Sequence, residues 1–245
     1  MNEQKTVNEQ KPALLLLPNL LVDSKHHEIF LPSSVDKAVS TLDGLIAESA
    51  GEGRRFLSRF DTKKTTQNMP LALFNEHTPD SDIDFLLEPI RKGERWGLIS
   101  DAGLPCIADP GAKLVARAKS SGIIVQTFVG PSSILMSLML SGLLGQKFYF
   151  RGYLQRDELK LAREIKEIEK FSRKEQSTQI FIETPYRNEK LLQALVQHLE
   201  PETKLCIAWD LTAPTQGVIT QTISQWKKSP LPNLSKKNSI YLISP

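Results

Sequence analysis

The residues whose types and spacing suit chemistry sit in two short turns. Ser100-Asp101-Ala102-Gly103 follows the apolar run RWGLIS, and Val129-Gly130-Pro131-Ser132-Ser133 follows GIIVQTFV. The first turn offers one carboxylate among backbone N–H and C=O groups, with a glycine that lets the backbone approach a ligand closely. The second is built of small residues. Such turns at the carboxyl ends of parallel strands are where open α/β sheets hold ligands. On spacing alone, they serve equally well as two capped strand-to-helix connections with no ligand. In SDAGLPCIADPG (100–111), Pro105 and Pro110 stiffen the chain, with Asp109 expected as an N-cap and Pro110 as the first helical residue. Cys106 has no paired base nearby in sequence and reads as packing.

Other chemistries lack their residues. No phosphate loop, H-E-x-x-H or G-x-S-x-G occurs. The four histidines, His26, His27, His77 and His198, have no ligand spacing, so no metal is expected. AESAGEGRRF (47–56) resembles a dinucleotide turn but lacks the third glycine, and reads as a flexible turn before a basic helix. Cys106 and Cys206 form no C-x-x-C and are expected as reduced thiols of a cytoplasmic protein. The longest apolar run, ALLLL (13–17), is too short to span a bilayer, so no membrane association is expected. The net charge of +3 permits an anionic partner without demanding one.

The elements that must position these turns follow from apolar runs alternating with helical patterns. Strands are expected at ALLLL, GLIAES (44–49), PLALFNEH (70–77), RWGLIS and GIIVQTFV. Between them lie helices capped by Ser33 or Ser34, by Asp82 and by Asp109, and an apolar helix SILMSLMLSG follows the second turn. This alternation predicts a mostly parallel sheet. The pattern changes near residue 145. Strands QKFYFRGYL, TQIFIE, TKLCIAWD, VITQTI and SIYLIS, with helices over 157–175 and YRNEKLLQALVQHL, predict a second domain with more antiparallel character. The expected divisions are a disordered polar tail (1–11), an N-terminal α/β domain carrying the loops (12–145) and a C-terminal α/β domain (146–245).

LISDAGLPCIADPG (98–111), VGPSSILMSLMLSGL (129–143), FYFRGYL (148–154), FIETPYR (181–187) and CIAWDLTAPTQG (206–217) together resemble the tetrapyrrole methylase superfamily of class III S-adenosylmethionine-dependent methyltransferases. Within it the chain is similar to the ribosomal small subunit methyltransferase I branch, which methylates a cytidine 2′-oxygen in 16S rRNA. The resemblance implies two α/β domains with the cofactor, S-adenosylmethionine, in the cleft between them, and a homodimer. It implies cofactor contacts at Ser100, Asp101, Ala102, Gly103, Gly130, Pro131, Ser132 and Ser133, and in the second domain at Ile182, Glu183, Asp210, Leu211 and Thr212. The first 90 residues depart from the branch. Its usual Thr-Pro-Ile-Gly-Asn-Leu survives only as Pro18-Asn19-Leu20, and Ala-Glu-Asp-Thr-Arg is replaced by Ala47-Glu48-Ser49-Ala50.

A ribose acceptor is a weak acid, and Glu183, Glu48 and His77 are the candidate bases, unranked by sequence. Arg54, Arg55, Arg59, Lys63 and Lys64, with Lys227, Lys228, Lys236 and Lys237, are candidates for holding rRNA phosphates or simply form a solvated charged face. The implied function is a methyltransferase acting on small-subunit rRNA. The alternatives are a small-molecule methyltransferase and a non-catalytic protein that keeps the fold.

Overall fold

In the computed structural model residues 11–245 are described; most of the expected polar tail, residues 1–10, lies outside them. The chain divides into two compact units, 1–131 and 132–245. The pattern change placed this division at 145/146. The helix Ser133–Ser141 packs on the sheet of the second unit, so the unit starts with that helix.

The first unit contains β1 (Ala13–Leu16), α1 (Ser33–Val39), β2 (Gly44–Ala47), α2 (Ala50–Leu57), β3 (Leu71–Leu73), α3 (Ile83–Arg91), β4 (Arg95–Leu98), α4 (Gly111–Ser120) and β5 (Ile124–Thr127). The strands form one parallel sheet in the order β3-β2-β4-β1-β5. Both faces are covered, which is why the strands read as continuous apolar runs rather than as alternating ones. Leu15, Leu17, Leu45 and Ala47 meet α1 and α2 through Val35, Val39, Phe56 and Leu57. Leu14, Ile46 and Leu98 meet α3 and α4 through Leu87, Ile90, Leu114 and Ala118.

That division of helices places the loops. The exits of β1 and β2 lead to helices on one face, whereas the exit of β4, which lies between them, leads to α4 on the other. Chain paths therefore diverge on both sides of β4, the arrangement that opens a crevice at the carboxyl edge of a parallel sheet.

Three expected caps differ. Pro32, not Ser33 or Ser34, is the N-cap of α1, and no side chain caps that end. Asp82 does stand at the N-cap of α3, but it closes a 3-10 turn, Asp80–Asp82, in helical conformation, and its side chain makes no capping hydrogen bond. Pro110 is the N-cap of α4, one residue later than expected. Asp109 still satisfies the helix start from outside, accepting from Gly111 N–H at 2.7 Å and from Cys106 N–H at 2.8 Å. By contrast Ser49 caps α2, accepting from Glu52 N–H.

The second unit contains α5 (Ser133–Ser141), β6 (Phe148–Tyr153), α6 (Glu158–Glu175), β7 (Thr178–Glu183), α7 (Asn188–His198), β8 (Lys204–Trp209), β9 (Gly217–Thr222), α8 (Ile223–Trp226) and β10 (Ser239–Ser244). Its sheet runs β6-β7-β10-β8-β9, with only the β6–β7 pair parallel, matching the expected antiparallel character. α5 covers one face through Leu138 against Ile180, Cys206 and Leu242; α6 and α7 cover the other around Phe181, Leu195 and Tyr241. The short helix α8 was not expected. Its signal is the Thr222–Gln225 capping box, which is easily lost at the end of a β-branched run.

Gly217 pairs with Trp209 across β8 and β9, and the indole lies over the glycine. A Cβ there would stand 2.0 Å from Trp209 Cζ2. Gly217→Ala should therefore displace the indole and cost about 1–3 kcal/mol, as overpacking does. A lowered urea midpoint together with altered tryptophan emission would show it; an unchanged midpoint would contradict the packing.

Candidate functional site

The first turn, SDAG, is the exit of β4, and both neighbouring strands grip it. From the β1 side, Asn19 Nδ2 donates to Ser100 O and to Asp101 O, each at 3.1 Å, and Asn19 N–H donates to Gly103 O at 2.8 Å. From the β2 side, Glu48 Oε1 accepts from Ser100 Oγ at 2.7 Å and from Asp101 N–H at 3.0 Å. Carbonyls are thus held from one side and N–H and hydroxyl donors from the other. Gly103 turns the chain at φ +73°, and Ala102 is exposed at the tip.

The Asp101 carboxylate accepts from Ser49 Oγ at 3.3 Å. Its pKa is held above the ordinary carboxylate value, first by burial and then by the charge of Glu48, with the Ser49 bond and Arg55 opposing. Asp109 is raised as well, chiefly by burial. Burial and the neighbouring Asp109 push the Cys106 thiol up to about 12, so it is no thiolate nucleophile at neutral pH.

Gly130 ends the second turn's first half against Pro18. A Cβ on Gly130 would come within 2.0 Å of Pro18 Cβ. The glycine is therefore required by packing of the β5 exit on the β1 exit, a reason different from ligand clearance. Pro131 closes the first unit, while Ser132 and Ser133 open the second, where Ser132 caps α5 by accepting from Leu135 N–H at 3.5 Å.

In the second unit, β7 ends in Ile182 and Glu183. Ile182 packs with Ile180 and Ile240 beneath α5. The Glu183 side chain is 0% exposed; Oε1 accepts from Thr184 N–H at 2.7 Å and Oε2 lies 3.2 Å from Arg187 Nη2. β8 is followed by Asp210 and Thr212, both at positive φ (+47° and +76°), flanking buried Leu211. Asp210 is held by Lys237 and by Thr215 Oγ1, and Thr212 N–H donates to Gln216 Oε1 at 2.9 Å. Non-glycine residues at such φ cost energy and concentrate where function overrides local preference.

The three candidate bases are thereby distinguished. Glu183 is enclosed with Arg187. His77, 84% exposed, lies beside Glu76. Glu48 alone lies at the SDAG turn. The basic residues of the first unit are mostly engaged. Arg54 donates to Thr66 O and to Met69 O, Arg55 pairs with Glu52, and Lys63 pairs with Asp43 at 2.7 Å. Arg59 is 6% exposed and bonded inward, so it is no phosphate contact. Lys64, Lys227, Lys228 and Lys236 are exposed and carry no ion pair among the described residues. Sequence reasoning missed Asn19 as a site residue, although it stands in the one remnant of the branch's opening motif. Among the described residues, no three His, Cys, Asp or Glu side chains group as metal ligands, and no helix is long and apolar enough to cross a membrane.

A family model described as tetrapyrrole (corrin/porphyrin) methylases matches residues 28–227. The chain belongs to this family of methylases. Its two-sheet α/β fold is also that of the methyltransferase CobJ, with a TM-score of 0.64 at 14% identity over 95% of this chain and 93% of that one. Cobalt precorrin-4 methyltransferase CbiF, described as a cobalamin biosynthetic enzyme, gives 0.62 at 11% identity, with 95% and 94% covered. Among curated proteins, the ribosomal RNA small subunit methyltransferase I of Thermotoga maritima is 32% identical over 80% of this chain and 85% of its own length. That of Bacillus subtilis is 30% identical over 77% of this chain, and the match spans 62% of its own length. The tetrapyrrole methylase likeness read from the five segments between residues 98 and 217 is thus borne out for family and fold.

For an acid with a raised native pKa, the native state holds its proton longer than the unfolded chain, so stability falls as pH rises from the ordinary value to the raised one. Glu48→Gln should lower the Asp101 pKa part of the way, burial remaining the larger cause, and shrink that loss. Carboxyl-carbon NMR titration of Asp101 checks this; an unmoved midpoint would count against the Glu48 contribution. Gly130→Ala should cost about 1–3 kcal/mol in urea unfolding through its clash with Pro18.

Proposed function

We propose that the protein is an S-adenosylmethionine-dependent methyltransferase that modifies a ribose 2′-oxygen in 16S rRNA, acting in the cytoplasm. The observation that carries the donor reading is the Asp101–Glu48 pair at the exit of β4. Asp101 stands on a loop held by the neighbouring strand ends, and the Glu48 carboxylate that holds it from the β2 side adds a second negative charge beside it. A positively charged group placed there relieves their repulsion, and S-adenosylmethionine, when bound, supplies both the sulfonium charge and the methyl group. The residues present fit such a group: Gly103 keeps the backbone close and Ala102 adds no bulk. The family match and the relatives' names support the methyl-transfer and small-subunit rRNA parts of the reading.

In this reading the protein works mainly by alignment and exclusion of water, since methyl displacement needs no covalent enzyme intermediate. Ser100, Asp101, Ala102 and Gly103, with Gly130 and Pro131, form the donor-facing edge of the first unit. In the second unit, the positive φ of Asp210 and Thr212 supports a ligand-facing loop after β8. Glu48 is the base for the ribose hydroxyl, because its Oε2 takes no hydrogen bond from a described residue while Oε1 holds the loop. Lys64, Lys227, Lys228 and Lys236 meet rRNA phosphates. A homodimer is supported by the exposed apolar side of α5, where Leu135, Met139 and Leu140 lie.

Calorimetry should show S-adenosylmethionine binding to the wild-type protein and about tenfold or weaker binding to Asp101→Ala, the change expected when a charge-assisted contact is lost. No binding at millimolar donor would overturn the reading. Ribose-methylation mapping of 16S rRNA from cells lacking the protein should show one lost 2′-O-methyl group. A full pattern, with activity insensitive to salt, would point to a small acceptor instead.

A further inference from the structure

Arg59 follows the C-terminal end of α2 and points inward. Its guanidinium spans the first loop of the chain: Nε donates to Ser24 O at 3.1 Å, Nη2 to Asp23 Oδ1 at 3.1 Å and Nη1 to Asn19 Oδ1 at 3.0 Å. Asn19 Oδ1 also accepts from Leu20 N–H at 2.8 Å. Two donors converging on that atom admit only the oxygen end of the amide. The NH2 end is thereby directed at Ser100 O and Asp101 O. Asn19 is 2% exposed, so water cannot substitute for a lost partner without rearrangement.

We infer that Arg59 is a positioning residue for the SDAG turn: its guanidinium fixes the orientation of the Asn19 amide, which holds the Ser100 and Asp101 carbonyls and so sets where the Asp101 carboxylate stands. The role goes beyond the donor reading above and rests on it only for the binding arm of the test. It also explains why an arginine, and not a lysine, suits this place. Only the planar fork can reach the loop carbonyl, the Asp23 carboxylate and the amide oxygen together.

The test uses Arg59→Met, Arg59→Lys and Asn19→Asp in the full chain. Asn19→Asp keeps an acceptor for Arg59 and removes both donors to the SDAG carbonyls, so it isolates the relay even where an Arg59 variant folds poorly. Amide hydrogen exchange is read at Asn19 and Asp101, whose N–H groups bond to Gly103 O and Glu48 Oε1, and at strand amides such as Leu45. All three variants should speed exchange at Asn19 and Asp101 while the strand amides keep wild-type rates. S-adenosylmethionine binding should weaken by about 10- to 100-fold, the loss typical when an orienting partner behind a ligand contact is removed. Exchange that stays at wild-type rates in the turn, or rises equally in turn and strands, would overturn the inference, the second outcome marking Arg59 as merely structural. Failure of the wild-type protein to bind the donor would overturn the donor reading, and the exchange result would still decide the relay.

Discussion

The constraint on which the rest of the first unit depends is the two-sided grip on the exit of β4. A chain leaving a parallel strand has unpaired N–H and C=O groups, and each needs a partner when partly buried. Here Asn19 takes the carbonyls and Glu48 takes the N–H and hydroxyl. Both partners exist because β1 and β2 flank β4 and send their chains to the opposite face. Strand order, helix placement and loop geometry are thus one arrangement. The loop is held by side chains at fixed places on rigid strands, which is what a site needs if a ligand is to find it formed.

The same grip creates the electrostatic character of the site. Glu48 can hold Asp101 N–H only by bringing its carboxylate next to that of Asp101, and burial, joined by this repulsion, raises the Asp101 pKa. A tertiary requirement for hydrogen bonding therefore yields an anionic pair, and a cation is its natural complement. In the second unit the comparable cost is conformational. Asp210 and Thr212 adopt positive φ without being glycine, and Lys237, Thr215 and Gln216 hold them there.

The strands and most helices were legible because burial on both faces leaves continuous apolar runs, and helical spacing of Val35, Val39, Leu87 and Ile90 marks the packed stripes. Caps were less so. Ser33, Ser34 and Asp82 have the right chemistry for capping, but the 3-10 turn before α3 and the placing of Pro32 decide the backbone first. The two turns were legible from small residues after strands, while Asn19 was not, since a single asparagine carries no period or spacing. Arg54 and Arg59 looked like members of a basic surface, yet their charges are spent inside on carbonyls and on Asn19.

What the sequence by itself determined was the alternation of strands and helices, the two turns with their carboxylate, and the family, because these reside in local pattern and in runs of matching residues. Only the tertiary structure decided which residues serve the turn. Asn19, Glu48, Arg59 and Asp101 lie in four separate segments, and nothing local relates them. Asn19, Glu48 and Asp101 meet because the order β2-β4-β1 sets their strand ends side by side, and the end of α2 brings Arg59 to Asn19. Hydrogen bonds act over about 3 Å, so such partnerships form only after the sheet has brought those ends together.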